Sequence, residues 1–382
     1  MGTGNYTVTV YKPALAGELR KFVRRFWPNN FGEGGTPLSS EQFREEPTNT
    51  HPTFLFLKDH EVIGHITAIP VQVACRSHYV PAYWVVGFMV LPEYRNGLIG
   101  PLLIKKENET LPFAMTLHVE ENVLKIFKGL GWRHLGVLPQ YVRVVNPYGL
   151  VNNLHIGRLD FLKRRTPRLA KFFQPIASSF VGRWIVSSGL GLVSSIWKIG
   201  GRIARGYQRQ YAVLEEKEFH AGYDDLWKDV GEKFDAAVVR DRAYLTSRYG
   251  TFPHAYRVLA CYSGQELVAY CILKVKMFAD DHRMGNTRIG TIVDCLFDPE
   301  DARHLHALLL EAVCLFRKET VDAIVCTASL SVLRASLLRH GFFKIPGNLN
   351  FAFHISPSVT PITAPLDAWH LMRGDSDAAE NF

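Results

Sequence analysis

The chain has 382 residues, of which 47% are hydrophobic and 21% charged, a balance that excludes wholesale disorder and predicts two or three domains. Its glycines and prolines follow no fixed period, and its six cysteines (Cys75, Cys261, Cys271, Cys295, Cys314, Cys326) form no CxxC pair. A collagen-like chain, a zinc ribbon and a thioredoxin-like site are thereby excluded, and reduced, buried thiols in a cytoplasmic protein are expected. The net charge of +8 is local: Leu150 to Gln210 holds eleven basic residues and one acid, while the rest holds 33 basic and 35 acidic residues.

The first zone runs to about Val145. It opens with the strand-like TVTVY and a helical pattern from Ala14 to Phe26, followed by a polar loop from Trp27 to Pro52. No apolar core of signal-peptide length opens the chain. Thr53–Leu57, a turn at Lys58-Asp59-His60 and Val62–Val73 predict a hairpin. Ala82–Val90 is an apolar strand, Leu91–Ile99 a loop, and a helix starts near Gly100. Strand Phe113–Val119, helix Glu121–Leu130 with Gly131 as its C-terminal cap, and strand Val137–Val145 complete the zone.

The third zone, 211–356, repeats this order. Val258–Tyr262 and Glu266–Val275 form a hairpin, Ile289–Leu296 a strand, and Asp301–Arg317 a helix with one apolar face. Strand Ala323–Cys326, helix Ser329–Arg339 stopped at Gly341, and strand Leu349–Ile355 follow. GLGWRHLG (129–136) and RHGFFKIPG (339–347) share the helix–Gly–aromatic stop, which points to an internal duplication. The closing segment around Arg373-Gly374-Asp375 is expected to be a short acidic tail, and His304 and His306, two apart on a helix, should not share a face.

The run VVGFMVLPEYRNGLIGPLLIKKENE (85–109) carries the chemistry. An apolar strand meets a glycine-bearing turn and a helix begins at once. Such a turn leaves N–H groups unpaired at the positive end of the helix dipole, which can cradle a phosphate. Arg95 adds a charge-assisted contact, and Gly97 and Gly100 permit close backbone approach. This run resembles the GNAT acyltransferase superfamily. Val90-Leu91-Pro92-Glu93-Tyr94-Arg95 stands where the family has V-x-P-E-Y-R. Asn96-Gly97-Leu98-Ile99-Gly100 stands for its pyrophosphate loop, with the middle glycine one place early. The resemblance implies acetyl-CoA or another acyl-CoA as co-substrate, without a metal. It implies that amides of Asn96, Gly97, Leu98, Ile99 and Gly100 face the pyrophosphate, and that Met89, Val90 and Leu91 offer main-chain bonds to the pantetheine arm.

A second family feature is a Tyr four residues before the glycine of Gly131-Trp132, as acid to the departing thiolate. Here it is Phe127, so that role is lost or moved. In the second half the corresponding loop, Phe297 to Arg303, lacks glycine and holds Asp298, Glu300 and Asp301, which repel a pyrophosphate. Acyl transfer to an amine needs a base, and the candidates are His118, Glu120 and, less directly, Tyr83. His118 reads first as a hydrogen-bonded strand-end histidine, ahead of its reading as a base, and Glu120 equally as a solvated helix-start residue. Glu93 reads as a loop brace.

The sequence therefore predicts an α/β (α+β) chain of two GNAT-like domains, each a mixed, mostly antiparallel sheet flanked by helices. Residues 1–147 form the acyl-CoA-binding domain, 148–210 a basic amphipathic helical linker, and 211–382 a degenerate second copy with a C-terminal tail. The stretches 240–256 and 369–377 are similar to tandem-GNAT proteins of bacterial exopolysaccharide and cell-envelope assembly. The expected reaction is transfer of an acyl group to an amine, with a small-molecule or lipid-linked amino sugar as acceptor. The alternatives are a non-catalytic scaffold or sensor, and a FemAB-type aminoacyl transferase using charged tRNA. The linker's arginines, tryptophans and phenylalanines (158–209) suit either packing between domains or docking on an anionic membrane surface. The location expected is thus cytoplasmic, with peripheral attachment to the inner face of the membrane. Nucleic acid is the weaker partner, since no RNA-binding motif accompanies the charge.

Overall fold

The computed structural model describes residues 5–26, 51–76, 78–154, 211–250, 255–282 and 284–376. The expectations for the loop 27–50 and for most of the basic linker lie outside the described residues. The strands in chain order are β1 Tyr6–Val10, β2 Thr53–Lys58, β3 Glu61–Cys75, β4 His78–Val90, β5 Phe113–Thr116, β6 Arg133–Val144, β7 Ala212–Glu216, β8 Ala236–Val238, β9 Arg257–Ser263, β10 Glu266–Met277, β11 Arg288–Phe297, β12 Ala323–Thr327, β13 Phe343–Ile355 and β14 Trp369–His370. The helices are α1 Ala16–Phe26, α2 Ile99–Thr110, α3 Glu121–Gly129, α4 Pro147–Asn153, α5 Gly222–Val230, α6 Arg242–Leu245, α7 Arg303–Lys318 and α8 Ser331–Arg339.

These elements fall into two compact units that are not contiguous in sequence. The first comprises the described residues within 1–137, 349–365 and 374–382, and the second those within 138–348 and 366–373. The boundaries drawn from the sequence at 147 and 211 therefore differ from the structural ones: 138–147 lies in the second unit and 349–365 in the first.

The first unit orders its strands β1-β2-β3-β4-β5-β13. All neighbours are antiparallel except β4 and β5, which run parallel. Its core joins Leu19 and Phe22 of α1, Leu103 and Ile104 of α2, and Leu124 and Phe127 of α3 to Phe54, Ile63, Ile66 and Val85 of the sheet. Each such side chain contributes about 1.5–3 kcal/mol of burial free energy, which fixes the helices on that face. The second unit repeats the order as β7-β9-β10-β11-β12-β6, again with one parallel pair, β11 and β12. Its α7 buries Leu305, Leu308, Leu309, Ala312, Val313 and Phe316, the face read from the sequence.

Each sheet is closed by the last strand of the other half of the sequence. In the first unit β13 pairs with β5 from Ala352↔Thr116 to Ile355↔Phe113. In the second, β6 pairs with β12 from Ala323↔Val144 to Thr327↔Gln140. The turns that launch these strands have the same bonding. Gly131 and Gly341 have φ of +90° and +78°. Trp132 N–H donates to Phe127 O and Phe342 N–H to Leu337 O, the six-to-one bond of a glycine-terminated helix. The similarity of 129–136 to 339–347 is thus a shared capping geometry.

The expected acidic tail is instead core. Residues 369–376 are buried, because β14 pairs with β8 and the polar groups find partners inside the fold. Arg373 donates to Thr327 Oγ1 and Asn348 Oδ1. His306 does not pair with His304; its Nδ1 lies 2.8 Å from His340 Nε2. All six cysteines are unpaired thiols, with Cys75 and Cys314 only partly buried.

Candidate functional site

In the first unit the sheet opens between β4 and β5. From the pair Thr67↔Val86 to the pair His65↔Met89, β4 takes three steps while β3 takes two. The extra residue is a bulge at Gly87–Phe88, where Gly87 adopts φ +61°. β4 meets β5 only at Tyr83↔Ala114 and Trp84↔Met115, yet it runs on to Val90. Leu91 N–H donates to Ile63 O, so Gly64↔Val90 is a pair without mutual hydrogen bonds. The N–H and C=O of Val90 consequently point away from β3, toward the opened side. Its carbonyl accepts from Arg95 Nε at 3.0 Å.

The turn after β4 is held by its own side chains. Arg25 donates to Glu93 at 3.0 Å and to Glu61 at 3.1 Å, and Lys58 Nζ donates to Tyr94 Oη at 3.1 Å. Glu93 is thus the loop brace expected from the sequence. Two further main-chain expectations meet competition. Leu91 donates to Ile63 O and accepts from Tyr94 N–H, so both its backbone groups are committed. Gly97 N–H donates to Tyr94 O at 3.3 Å.

The start of α2 is bare. Its N-cap is Leu98, which has no side-chain oxygen to offer. Among the described residues the N–H groups of Asn96, Leu98, Ile99 and Gly100 have no acceptor. Together with the helix dipole they make a positive end of the kind that can accept an anion. A Cβ on Gly97 would meet only Tyr94 O, at 3.5 Å, so space lies open there. A Cβ on Gly100 would lie 3.0 Å from Phe88 Cζ, and one on Gly64 would lie 2.9 Å from Ile99 Cγ2. Gly64, which the sequence reading passed over, is what lets α2 sit close on β3.

The other predicted residues take up the following places. Tyr83 is half-buried at the first of the two β4–β5 pairings, with Trp84↔Met115 between it and the opening. His118 is exposed on the loop after β5, which ends at Thr116 rather than Val119. Asn350 Nδ2 donates to Val119 O at 3.0 Å and steadies that loop. Glu120 is exposed at the N-cap of α3 and its side chain caps nothing. Phe127 is fully buried, edge-on to Trp132 at 4.4 Å and to Phe88 at 6.1 Å.

The second unit has the same opening, already filled. The pairs Ile272↔Asp294 and Leu273↔Ile292 leave Val293 as an extra residue on β11. β11 pairs with β12 from Ile289↔Ala323 to Ile292↔Cys326, then continues to Phe297. A strap of residues 369–372 links the two strands beyond that point. His370 Nε2 lies 2.7 Å from Cys295 O, and Cys295 Sγ lies 3.4 Å from Met372 Sδ. On the other side Met372 bridges Ala328, and Ser329 Oγ donates to Trp369 O at 2.5 Å and accepts from Leu371 N–H at 2.8 Å. Carboxylates stand at the helix terminus as well. Asp301 Oδ1 accepts from Arg303 N–H at 3.1 Å, and Asp298 Oδ1 from Glu300 N–H at 2.9 Å. The Arg303 side chain holds the Asp301 carboxyl down at about 2, so it is an anion at neutral pH. Lys233 Nζ lies 2.5 Å from Asp298.

No family model and no curated protein matches the chain. Solved structures do. A GCN5-related N-acetyltransferase from Anabaena variabilis superposes with a TM-score of 0.58 at 10% identity, over 92% of this chain and 73% of that one. A conserved protein of unknown function from Enterococcus faecalis, described as a probable N-acyltransferase, gives 0.56 at 10% identity with the same coverage. A GCN5-related N-acetyltransferase from Kribbella flavida gives 0.53 at 11% identity, over 92% and 71%. The chain therefore has the fold of the GCN5-related N-acetyltransferases.

Proposed function

We propose that the first unit binds an acyl-coenzyme A and transfers its acyl group, most simply acetyl, to an amine. The observation that carries this reading is the bare N-terminus of α2 beside the opened β4–β5 pair, set against its counterpart in the second unit. There Asp301 accepts from the Arg303 N–H and sets a carboxylate at the helix terminus, and the gap is filled by 369–372. The difference between the two openings, one free among the described residues of helix-terminal carboxylates and of the 369–372 strap and one holding both, supports placing the anionic ligand in the first. The free N–H groups of Asn96, Leu98, Ile99 and Gly100 suit a pyrophosphate, and Val90 offers the N–H that faces the opening, its carbonyl being held by Arg95.

For the transfer, an amine must lose a proton, the thioester oxygen must meet an N–H, and the thiolate must leave. His118 on the exposed loop after β5 and Tyr83, one pair before the strands part, are the side chains proposed for proton transfer, with Glu120 as the alternative base. Phe127 supplies no proton and is committed to the core. The second unit serves as a degenerate copy. An amino sugar of an envelope glycan is the acceptor class proposed, from the sequence similarity of 240–256 and 369–377. Among the described residues no helix is long and apolar enough to cross a membrane. Peripheral docking through 158–209 remains a proposal from composition.

The test is titration calorimetry with acetyl-CoA on the wild type and on Gly97→Asp. Space at Gly97 admits the side chain, and a carboxylate there opposes a pyrophosphate while favouring the helix dipole by about 0.3–1 kcal/mol. Binding that is abolished with Tm unchanged or raised supports the reading. Equal affinity in both proteins contradicts it.

A further inference from the structure

A bulge leaves main-chain groups without ladder partners, and an unpaired buried carbonyl is costly. At the β4 bulge that carbonyl belongs to Gly87, and His65 Nδ1 lies 2.8 Å from it. A carbonyl only accepts, so Nδ1 carries the proton and Nε2 is left as an acceptor. Thr67 Oγ1 lies 2.9 Å from Nε2 and donates to it. Thr67 Oγ1 is in turn 3.2 Å from Thr53 Oγ1. The relay Thr53–Thr67–His65–Gly87 crosses β2, β3 and β4, and its three side chains are all buried. Burial pushes the imidazole down to about 4, so it stays neutral at physiological pH. The ring also fills the space beside the glycine, since a Cβ on Gly87 would lie 3.2 Å from His65 Cε1.

We propose that His65 is a positioning residue that locks the β4 bulge in register by holding the Gly87 carbonyl. The alternative is a regular ladder in which β4 slips by one residue. A slip of one residue reverses which main-chain groups face β3 and which face the opening. Met89 would then replace Val90 at the open side, and the turn leading to α2 would shift with it. The functional consequence rests on the coenzyme reading above, whereas the lock itself does not.

The experiment compares His65→Leu, which keeps apolar bulk without a donor, with His65→Asn, whose amide nitrogen reaches the place of Nδ1. Amide hydrogen exchange is first followed without ligand over residues 87–91. Exchange about tenfold faster in His65→Leu, with His65→Asn near wild type, supports the lock. Wild-type exchange in His65→Leu, or equal loosening in both variants, overturns it. Should His65→Leu not fold, Thr67→Val decides: faster exchange confined to 87–91 supports the relay and an unchanged pattern refutes it. Coenzyme A is then titrated into the same proteins, and affinity should fall about tenfold in His65→Leu and be kept in His65→Asn. If the wild type binds no coenzyme A, the functional reading fails while the exchange data still judge the lock.

Discussion

Glu107 gives the sharpest energetic prediction. It lies on α2, is fully buried, and among the described residues neither carboxyl oxygen has a hydrogen-bond partner. Burial raises its pKa well above the ordinary carboxylate value. A raised acid binds more protons folded than unfolded. Its contribution is therefore complete below the unfolded pKa and is lost as pH rises toward the folded one. Once the unfolded chain is ionised at this position, the wild type should lose about 1.4 kcal/mol per pH unit relative to a variant without the group. Glu107→Met keeps the volume and removes the acid. It should also relieve about 1–3 kcal/mol for the unpaired polar atoms. Glu107→Gln removes the titration and retains an unpaired polar group, so it should share the flat pH profile without the full gain. Thermal melts from pH 5 to 7 would read this as a widening gap of about 2–4 °C for each kcal/mol in a unit of this size. Parallel profiles for wild type and Glu107→Met would refute the reasoning, because they require the carboxyl to be equally ionised in both states.

Further expectations concern the way α2 and the tail are seated. Gly64→Ala places a methyl 2.9 Å from Ile99 Cγ2 and 3.0 Å from Leu103 Cδ1. It should cost about 1–3 kcal/mol in denaturant melts and weaken coenzyme A binding by moving the α2 terminus. Gly97→Asp should separate binding from stability, losing the first and keeping the second. Ser329→Ala leaves Leu371 N–H without its acceptor. A loss of about 1–3 kcal/mol is expected, together with faster carboxypeptidase trimming beyond Leu366. Trimming at the wild-type rate would show that the strap is held by other contacts.

The order of elements was legible because each obeys a local rule. Apolar alternation marked β2 and β3, one apolar face marked α7, and glycine marked the ends of α3 and α8. The strand exchange was not legible. Both β6 and β13 follow the same helix stop, and which sheet each joins is decided by pairing across more than 170 residues, from Val144 to Ala323 and from Thr116 to Ala352. The bulge was hidden because one extra residue in an apolar strand leaves composition unchanged. His65 was hidden for the same reason, sitting inside an apolar run with its role defined only by Gly87 on the next strand. The tail misled by charge: Arg373 and Asp375 read as solvated, yet both are buried, and Arg373 finds Thr327 and Asn348. At the site, the phosphate-type turn was legible from 85–109. Which of its N–H groups are free was not, since Leu91 and Gly97 lose theirs to Ile63 and Tyr94.

The central claim is that one of two similar openings takes the coenzyme and the other is filled by the chain itself. Its most direct measurement is the stoichiometry of acetyl-CoA binding to the full chain, by calorimetry or native mass spectrometry. One molecule per chain, lost in Gly97→Asp and kept in Asp301→Ala, is the predicted result. Two molecules per chain, or one that survives Gly97→Asp and is lost in Asp301→Ala, would contradict it.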